Sequence, residues 1–186
     1  TWITNSPISD VLLIWAKFEN KVCGFVLDRE MKGIDTPEIK DKMSLKSSKT
    51  GMIFLDNVEV PEENILDIRG MKGPLSCLND ARLGISFGVL GSAEYCIENT
   101  LEYVKNRTLF DSKLAEKQLI QYKLADMFSE YNLGFLGALE VAEQVDCGKS
   151  EPEMISLIKR NNCQKSLNIA RTCRDILGGN GISEEY

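Results

Sequence analysis

The sequence contains no histidine among its 186 residues. Serine–histidine–aspartate and cysteine–histidine nucleophiles use that imidazole as their base, and the HExxH metalloprotease motif uses it as a zinc ligand. The absence excludes these classes of hydrolase. Any acid–base chemistry must therefore use a carboxylate, a lysine, a tyrosine or a cofactor.

Metal and disulfide signatures are also missing. Six cysteines are present, but no two of them form a CxxC pair. Without histidine, a zinc site would need carboxylates and scattered thiols, which is an improbable ligand set. We interpret the cysteines as small buried or partly exposed thiols of a reducing compartment, and we expect no metal site.

Excess positive charge and long apolar runs are absent as well. The chain has 28 acidic and 22 basic residues, a formal net charge of -6. A nucleic-acid binder needs a basic face to neutralise phosphates. The longest apolar stretch, residues 11–16, is too short to span a bilayer. We expect neither a nucleic-acid partner nor a membrane span, and 43% hydrophobic residues suffice for a buried core.

The first third of the chain has the alternating pattern of β-strands. Residues 11–19 and 22–29 flank a short connection, and residues 50–60 hold two further apolar runs around the turn pair Asp56-Asn57. Pro61 has no N–H to donate and should end the sheet. The pattern predicts a small antiparallel sheet that could close toward a barrel.

The rest of the chain has the period of long helices. Three helices are predicted, from Leu75 to Asn106, from Lys113 to Val145 and from Ser150 to Leu177. Pro74 favours the first helix start, Ser150 and Glu153 form a capping box for the third, and Gly178 provides a helix stop. Short loops between such helices predict an up-down, mostly antiparallel array.

The predicted fold class is therefore α+β, with an antiparallel β domain over residues 1–66 and an incomplete helical bundle over residues 67–186. Gly84, Gly88 and Gly91 recur on one side of the first helix, which suggests close approach by a helix or a ligand. Residues 1–5, TWITN, predict a strand with nothing before it to pair with, and such bundles normally have a fourth helix. We expect the sequence to be part of a longer protein.

Three segments are candidate binding sites. Arg107-x-x-Phe110 offers a planar fork for a phosphate and an aromatic face, although the motif taken alone is better explained by a helix-ending arginine and a core phenylalanine. The segment 178–181, GGNG, either lets a ligand approach the backbone or simply stops a helix. Polar residues at 75–82 interrupt an otherwise apolar helix start, which a solvated first turn would also explain.

These signals occur in one order along the chain: Trp2-Ile3-Thr4-Asn5, then VEVPEEN at 58–64, Asn79-x-x-Arg82, Arg107-x-x-Phe110, Gln118 and ILGGNG at 176–181. The ordered set resembles the acyl-CoA dehydrogenases, which are FAD enzymes, over all 186 residues. Four sequence segments are most similar to the glutaryl-CoA dehydrogenase branch: GMIFLDNVEVPEEN, CLNDAR, SLIKRNNC and DILGGNGISEEY. The family fold places a middle β domain before a C-terminal four-helix domain.

The resemblance implies an FAD site built from two regions. It implies that Trp2, Ile3 and Thr4 lie against the flavin ring, with Thr4 hydrogen-bonded near flavin N5 and Trp2 packed over the ring. Residues of the helical half would reach the FAD of a neighbouring subunit; they are Arg107, Phe110, Gln118, Asp175, Ile176, Leu177, Gly178 and Gly179.

The resemblance also implies an acyl-CoA pocket on the first helix. Its wall would be formed by Leu75, Ser76, Cys77, Leu78, Asn79, Asp80, Ala81 and Arg82. Asn79 and Arg82 are its polar members.

The sequence departs from the family pattern at three places. Asp111 stands where the family usually has glycine, and its charge suits a pyrophosphate poorly, although aspartate tolerates turn geometry. Leu109 replaces a residue that is often polar. The catalytic glutamate of most members would lie beyond Tyr186, and its alternative position is occupied by Ala81, which has no carboxylate. We therefore assign no catalytic residue within the chain.

The implied activity of the full-length protein is α,β-dehydrogenation of an acyl-CoA. The glutaryl branch further implies decarboxylation to crotonyl-CoA in lysine and tryptophan degradation, with electrons passed to an electron-transfer flavoprotein. A homotetramer is expected, in the mitochondrial matrix of a eukaryote or the cytoplasm of a bacterium. The alternatives are an acyl-CoA oxidase, another chain specificity, or a non-catalytic helical scaffold, and we expect residues 1–186 alone to be inactive.

Overall fold

Strand pairing organises the first 70 residues of the computed structural model, which describes residues 1 to 186 throughout. The strands are β1 (Ile3–Thr4), β2 (Val11–Phe18), β3 (Lys21–Asp28), β4 (Ile34–Asp35), β5 (Thr50–Gly51), β6 (Phe54–Leu55) and β7 (Ile65–Arg69). They form one three-stranded sheet, β2-β3-β7, and two separate pairs, β1-β5 and β4-β6. All of these pairings are antiparallel, as predicted, but the strands do not close into a barrel.

The β2–β3 hairpin is the regular part of this unit. Glu19 and Asn20 link the strands with positive φ angles of 49° and 63°, the geometry of a two-residue type I′ turn, which matches the twist of paired strands. Leu12, Cys23 and Leu27 face inward and are almost fully buried. The alternation predicted from the sequence is therefore confirmed in these two strands.

The sheet does not end at Pro61, so that prediction is wrong. A 3₁₀ turn at Glu62–Asn64 redirects the chain, and β7 then pairs with β3. The Asn64 Nδ2 group donates to the Val26 carbonyl at 2.8 Å and fixes the turn on the sheet. Strand continues to Arg69, past the domain boundary predicted between residues 66 and 67.

Three long helices follow. They are α1 (Lys72–Asn106), α2 (Gln118–Asp146) and α3 (Pro152–Leu177), with a hairpin of β8 (Thr108–Leu109) and β9 (Ser112–Lys113) between the first two. The end of α1 and the end of α3 agree with the prediction. Their number and order confirm the α+β class.

All three helix starts differ from the prediction. The first helix begins at Lys72 rather than Leu75, so Pro74 lies inside its first turn. The second helix does not begin at Lys113, because that residue pairs in β9 and a 3₁₀ turn at Leu114–Glu116 precedes α2. The Ser150 capping box does not form, since Pro152 takes the first helical position and Glu151 becomes the N-cap, without a side-chain cap bond. Ser150 Oγ donates instead to the Glu151 carbonyl.

The helices form the predicted up-down array. Contacts between α2 and α3 run in opposite directions along the two helices, from Val141 against Ile155 to Met127 against Cys173. Phe87 of α1 packs edge-to-face on Phe135 of α2. A core of nine buried residues joins all three helices: Ala93, Ile97, Val104, Leu114, Ile120, Met127, Ile169, Cys173 and Ile176.

One polar side chain lies at the centre of the array. Asn162 of α3 is 0% exposed, and its Nδ2 group donates to the carbonyls of Ser86 in α1 and Gly134 in α2, both at 3.1 Å. A Cβ at Gly134 would lie 2.8 Å from Asn162 Oδ1, so the glycine makes room for the amide. No sequence signal had singled out this junction.

The chain divides into two compact units, Thr1–Ser76 and Cys77–Tyr186, called here the sheet unit and the helical unit. The close approach expected at Gly84, Gly88 and Gly91 is not made within residues 1–186. A Cβ added at any of them would meet nothing within 4 Å.

Candidate functional site

The first group of candidate residues lies at β1: Ile3 and Thr4 form the strand, and Trp2 directly precedes it. The strand pairs with β5 through Ile3 opposite Gly51 and Thr4 opposite Thr50. All three side chains are exposed, and Trp2 keeps 70% of its surface accessible. An aromatic face and a hydroxyl on an ordered strand are thus available to a planar ligand.

The candidate substrate residues occupy the first turns of α1. Most of the set from Leu75 to Arg82 is exposed, and only Asn79 and Arg82 are half-buried. Arg82 Nη1 donates to Asn79 Oδ1 at 3.2 Å. The guanidinium has five N–H donors and no ion pair, so Asn79 orients a side chain that retains donors for a ligand.

The β8–β9 hairpin presents the Arg107 motif. Thr108 lies opposite Lys113 and Leu109 opposite Ser112, which leaves Phe110 and Asp111 as the turn, with φ angles of 51° and 61°. Asp111 therefore adopts the left-handed geometry that an aspartate in place of the family's glycine must reach. Phe110 is not in the core: it is 85% exposed at the tip.

Phe110 is in an unusual backbone state for its residue type. A bulky side chain at positive φ is a genuine outlier, and such strain is concentrated at functional sites. Arg107 lies just after α1, with an exposed side chain that makes no hydrogen bond or ion pair. Gln118, the first residue of α2, is likewise exposed and without a side-chain hydrogen bond. These polar and aromatic groups are free to bind a ligand.

Asp175, the acidic residue just before the GGNG segment, is already paired. Lys123 of α2 forms a short ion pair with Asp175 of α3. The hydrogen bond and the charge of Lys123 hold the pKa of the Asp175 carboxyl below its usual value. Ile176 is buried in the helical core, so only its backbone is available to a ligand.

The three glycines of the GGNG segment have different structural reasons. Gly178 ends α3 with a φ of 59°, which glycine adopts readily. A Cβ at Gly181 would lie 2.3 Å from the Arg174 carbonyl oxygen, so packing requires glycine there. Gly179 does not have a positive φ, and a Cβ added there would meet nothing within 4 Å. The helix stop alone does not explain Gly179, which leaves an open backbone for a ligand.

A cavity of about 680 Å³ in the helical unit brings two of these regions together, because Arg107 and Leu177 both line it. Asn180 Nδ2 donates to the Tyr103 hydroxyl at 3.1 Å, and the Tyr103 carbonyl accepts the Arg107 backbone N–H at 2.8 Å. Tyr103 therefore connects the glycine segment to the arginine. Sequence reasoning missed it, since a single aromatic on a helix carries no distinguishing signal.

The buried Cys173 offers no nucleophile to this region. All six cysteines are free thiols, and burial raises the pKa of the Cys173 thiol, which lines the same cavity. A thiol with a raised pKa is protonated and unreactive at neutral pH.

None of the three helices is both long enough and apolar enough for a bilayer.

Comparison with known proteins identifies the family. The family described as "Acyl-CoA dehydrogenase, C-terminal domain" matches residues 69–186. A glutaryl-CoA dehydrogenase from Mycobacterium smegmatis, solved in complex with FADH2, superposes with a TM-score of 0.95 at 42% identity; the match covers 100% of this chain and 48% of that one.

Relatives with other activities are also similar. The mitochondrial isovaleryl-CoA dehydrogenase of Arabidopsis thaliana is 33% identical over 100% of this chain and 47% of its own length. A 3-(aryl)acrylate reductase of Clostridium sporogenes is 29% identical over 100% of this chain and 51% of its own. The chain spans about half the length of the curated relatives it matches, and it belongs to the acyl-CoA dehydrogenase family.

Proposed function

We propose that the full-length protein is an FAD-dependent acyl-CoA dehydrogenase that oxidises glutaryl-CoA and decarboxylates it to crotonyl-CoA. The observation that carries the proposal is the similarity to the M. smegmatis glutaryl-CoA dehydrogenase, at 42% identity over the whole of this chain. That protein binds FADH2. The identity to the isovaleryl-CoA enzyme is lower, at 33%.

The residues of the helical unit fit the phosphates and planar rings of FAD. Arg107 is an exposed cation without a carboxylate partner, and planar guanidinium groups bind phosphates in a bidentate manner. Phe110 offers an accessible ring. The Asp175 carboxylate, just before the GGNG segment, is neutralised by Lys123, which removes a source of repulsion toward an anionic ligand.

The residues of the sheet unit fit the flavin ring. Thr4 is exposed on β1 and Trp2 is exposed directly before it, and a tryptophan face suits stacking on a planar heterocycle. Thr4 would donate a hydrogen bond to the edge of the ring, and Trp2 would cover it and exclude water. FAD, when bound, would supply the two-electron acceptor for the oxidation.

On α1, Arg82 and Asn79 would form the polar part of the acyl-CoA wall, and Leu75 and Leu78 the apolar part. Asn79 keeps the guanidinium in one orientation through its 3.2 Å bond. Proton abstraction from the acyl α-carbon requires a carboxylate, and we place that group outside residues 1–186, because Ala81 occupies the alternative position. We further propose an electron-transfer flavoprotein as the electron acceptor and a homotetramer as the assembly, in a mitochondrial matrix or a bacterial cytoplasm.

The test uses the full-length protein, purified with its own flavin. Glutaryl-CoA should bleach the visible flavin band and yield crotonyl-CoA and CO2, with isovaleryl-CoA and butyryl-CoA as comparison substrates. Bleaching by isovaleryl-CoA alone would reassign the substrate. Oxygen consumption without an added acceptor would favour an oxidase, and protein without bound flavin would leave the non-catalytic scaffold as the remaining interpretation.

A further inference from the structure

β1, which carries Thr4 and directly follows Trp2, is held by very little of the sheet. It pairs only with β5, through Ile3 opposite Gly51 and Thr4 opposite Thr50. A two-stranded pair by itself is marginally stable in water at best. The fixed position of β1 therefore needs support from side chains outside the pair.

Arg29 supports the turn that follows β1. It lies directly after β3, and its guanidinium donates to the carbonyl oxygens of Ser6 and Ser9, both at 2.5 Å, and to Thr36 Oγ1 at 2.9 Å. Hydrogen bonds from charged donors are roughly twice as strong as those between neutral groups. One side chain, fixed to the three-stranded sheet, thus holds both ends of the turn.

Ser6 transmits this support into β1 itself. Its side chain is only 1% exposed, and its hydroxyl donates to the Ile3 carbonyl at 3.1 Å. A Cβ added to Gly51 of β5 would lie 2.8 Å from Ser6 Oγ, so β5 also packs closely on this serine. Arg29, Ser6 and Ile3 therefore form one continuous series of contacts.

Lys42 gives similar support to β5. Its ammonium group donates to the Leu45 carbonyl at 2.9 Å, to the Ser48 carbonyl, and to Thr50 Oγ1 at 3.0 Å. These bonds close the loop that leads into β5 and fix Thr50, which lies opposite Thr4. Each strand of the pair is therefore held by one cation.

Neither cation has a carboxylate partner. The ion pair of the sheet unit joins Lys49 to Glu38, whereas Arg29 and Lys42 donate to carbonyl and hydroxyl oxygens. Half-buried arginine and lysine side chains commonly keep the charged head in water, whereas here both heads are directed onto oxygen atoms of the turn after β1 and the loop before β5.

We propose that Arg29 and Lys42 are positioning residues that hold β1 in a single arrangement, so that Trp2 and Thr4 meet the flavin in a fixed geometry. The inference rests on the proposed function, because it places a flavin at β1. Each cation acts through a segment beside its strand: Arg29 through the turn that follows β1, and Lys42 through the loop that leads into β5 and the Thr50 side chain.

The test compares the R29M and R29K variants of the full-length, flavin-loaded protein. Methionine has an apolar stem of similar shape but donates no hydrogen bond. R29M should bind FAD about tenfold more weakly, since charged hydrogen bonds are lost, and should shift the visible absorption band of the bound flavin. It should also speed hydrogen exchange of the Asn5 amide, which donates to the Lys49 carbonyl at 2.8 Å.

R29K and two further variants, K42M and K49M, complete the comparison with R29M. R29K keeps the charge without the planar fork and should recover part of each effect. K42M should reproduce the effects of R29M, which keeps the test decisive even where R29M does not fold. K49M is the matched control, because it removes a neighbouring cation that makes only the exposed ion pair with Glu38, and it should leave flavin affinity and spectrum unchanged.

The outcomes separate this inference from the proposed function. Folded R29M and K42M proteins with wild-type flavin affinity, spectrum and Asn5 exchange would overturn the positioning role. Wild-type protein without bound flavin would count against the proposed function and, with it, against the flavin part of this inference. Faster Asn5 exchange in flavin-free R29M would still support the hold of Arg29 on β1.

Discussion

The two units of the chain are stabilised in different ways. In the sheet unit, side chains reach across long stretches of sequence to bond backbone carbonyls, as Arg29 does to Ser6 and Asn64 to Val26. In the helical unit, most side-chain hydrogen bonds stay within one helix, as from Asn99 to the Tyr95 carbonyl. There, a continuous apolar core joins the helices.

The difference follows from how each unit satisfies its backbone. Helices satisfy their own N–H and C=O groups, so the helical unit needs only apolar burial to associate its parts. Strands of two residues leave most of their neighbouring backbone groups unpaired, and buried groups of this kind need partners. Side-chain donors supply those partners in the sheet unit. In the helical unit, Asn162 also bonds backbone carbonyls of two other helices, and it gives the sharpest test of the comparison.

Replacement of Asn162 by leucine should have the largest effect. The N162L variant removes two buried hydrogen bonds, to the Ser86 and Gly134 carbonyls, and should lower the free energy of unfolding by about 2–3 kcal/mol, at about 1–1.5 kcal/mol per bond. Urea unfolding followed by circular dichroism measures this change. N168A, at an exposed position of the same helix, is the control and should change stability little. Equal stabilities of N162L and wild type would mean that apolar packing alone stabilises the array of three helices.

Asn162 also marks the limit of what the sequence predicts. Its partners lie 76 and 28 residues away, and within SLIKRNNC a single asparagine is indistinguishable from part of a polar face. The same limit applies to Arg29 and Lys42, because a bond to a backbone carbonyl leaves no signature in the acceptor's residue type. Period and turn chemistry, in contrast, predicted β2, β3 and the three helices.

The candidate site was predictable where local chemistry determines it. The tip position of Phe110 follows from the two-residue turn that Asp111 completes, yet the same hairpin also displaced the start of α2, which the apolar period had placed at Lys113. The pairing of Asp175 with Lys123, 52 residues away, could not be predicted. Long-range polar contacts are the part that the sequence leaves open.

Gly134 offers the second largest effect. In G134A the new Cβ would lie 2.8 Å from Asn162 Oδ1, and overpacking of this kind should cost about 2 kcal/mol despite the better helix propensity of alanine. Thermal unfolding of G134A, N162A and the double variant forms a cycle. The cost of G134A should fall in the N162A background, because the oxygen it meets is gone. Additive costs would contradict a direct contact.

Two glycines of the GGNG segment are expected to have different roles, Gly181 in packing and Gly179 in ligand binding. In G181A the new Cβ would lie 2.3 Å from the Arg174 carbonyl, which should destabilise the fold by about 1 kcal/mol. G179A meets nothing and should leave the melting temperature unchanged while weakening FAD binding to the full-length protein. Calorimetry and flavin titration of both variants measure the two effects. Unchanged FAD affinity in G179A would contradict a role for the Gly179 backbone in FAD binding.

Asn64 tests the polar support of the sheet unit. N64A removes the 2.8 Å bond to the Val26 carbonyl and should cost about 1 kcal/mol, the usual value for one such bond. The loss should speed amide exchange in β7 and leave exchange in α2 and α3 unchanged. N57G is the control, since the Asn57 side chain bonds only its neighbour Asp56 at the surface and glycine readily adopts the φ of 50° at this position. Exchange that rises equally in both units would contradict their separate stabilisation.

The smallest effect is expected at the exposed ion pair between Lys123 and Asp175. Lys123 lowers the pKa of this carboxyl, so the pair contributes stability above the ordinary pKa of aspartate and loses it as the pH falls through the lowered value in the folded protein. D175N should therefore melt slightly below wild type at neutral pH, and the two curves should converge in acid. D126N, which removes an equal charge from an exposed, unpaired position of α2, should show no such convergence. A difference in melting temperature between D175N and wild type that persists in acid would show that the amide perturbs packing rather than charge.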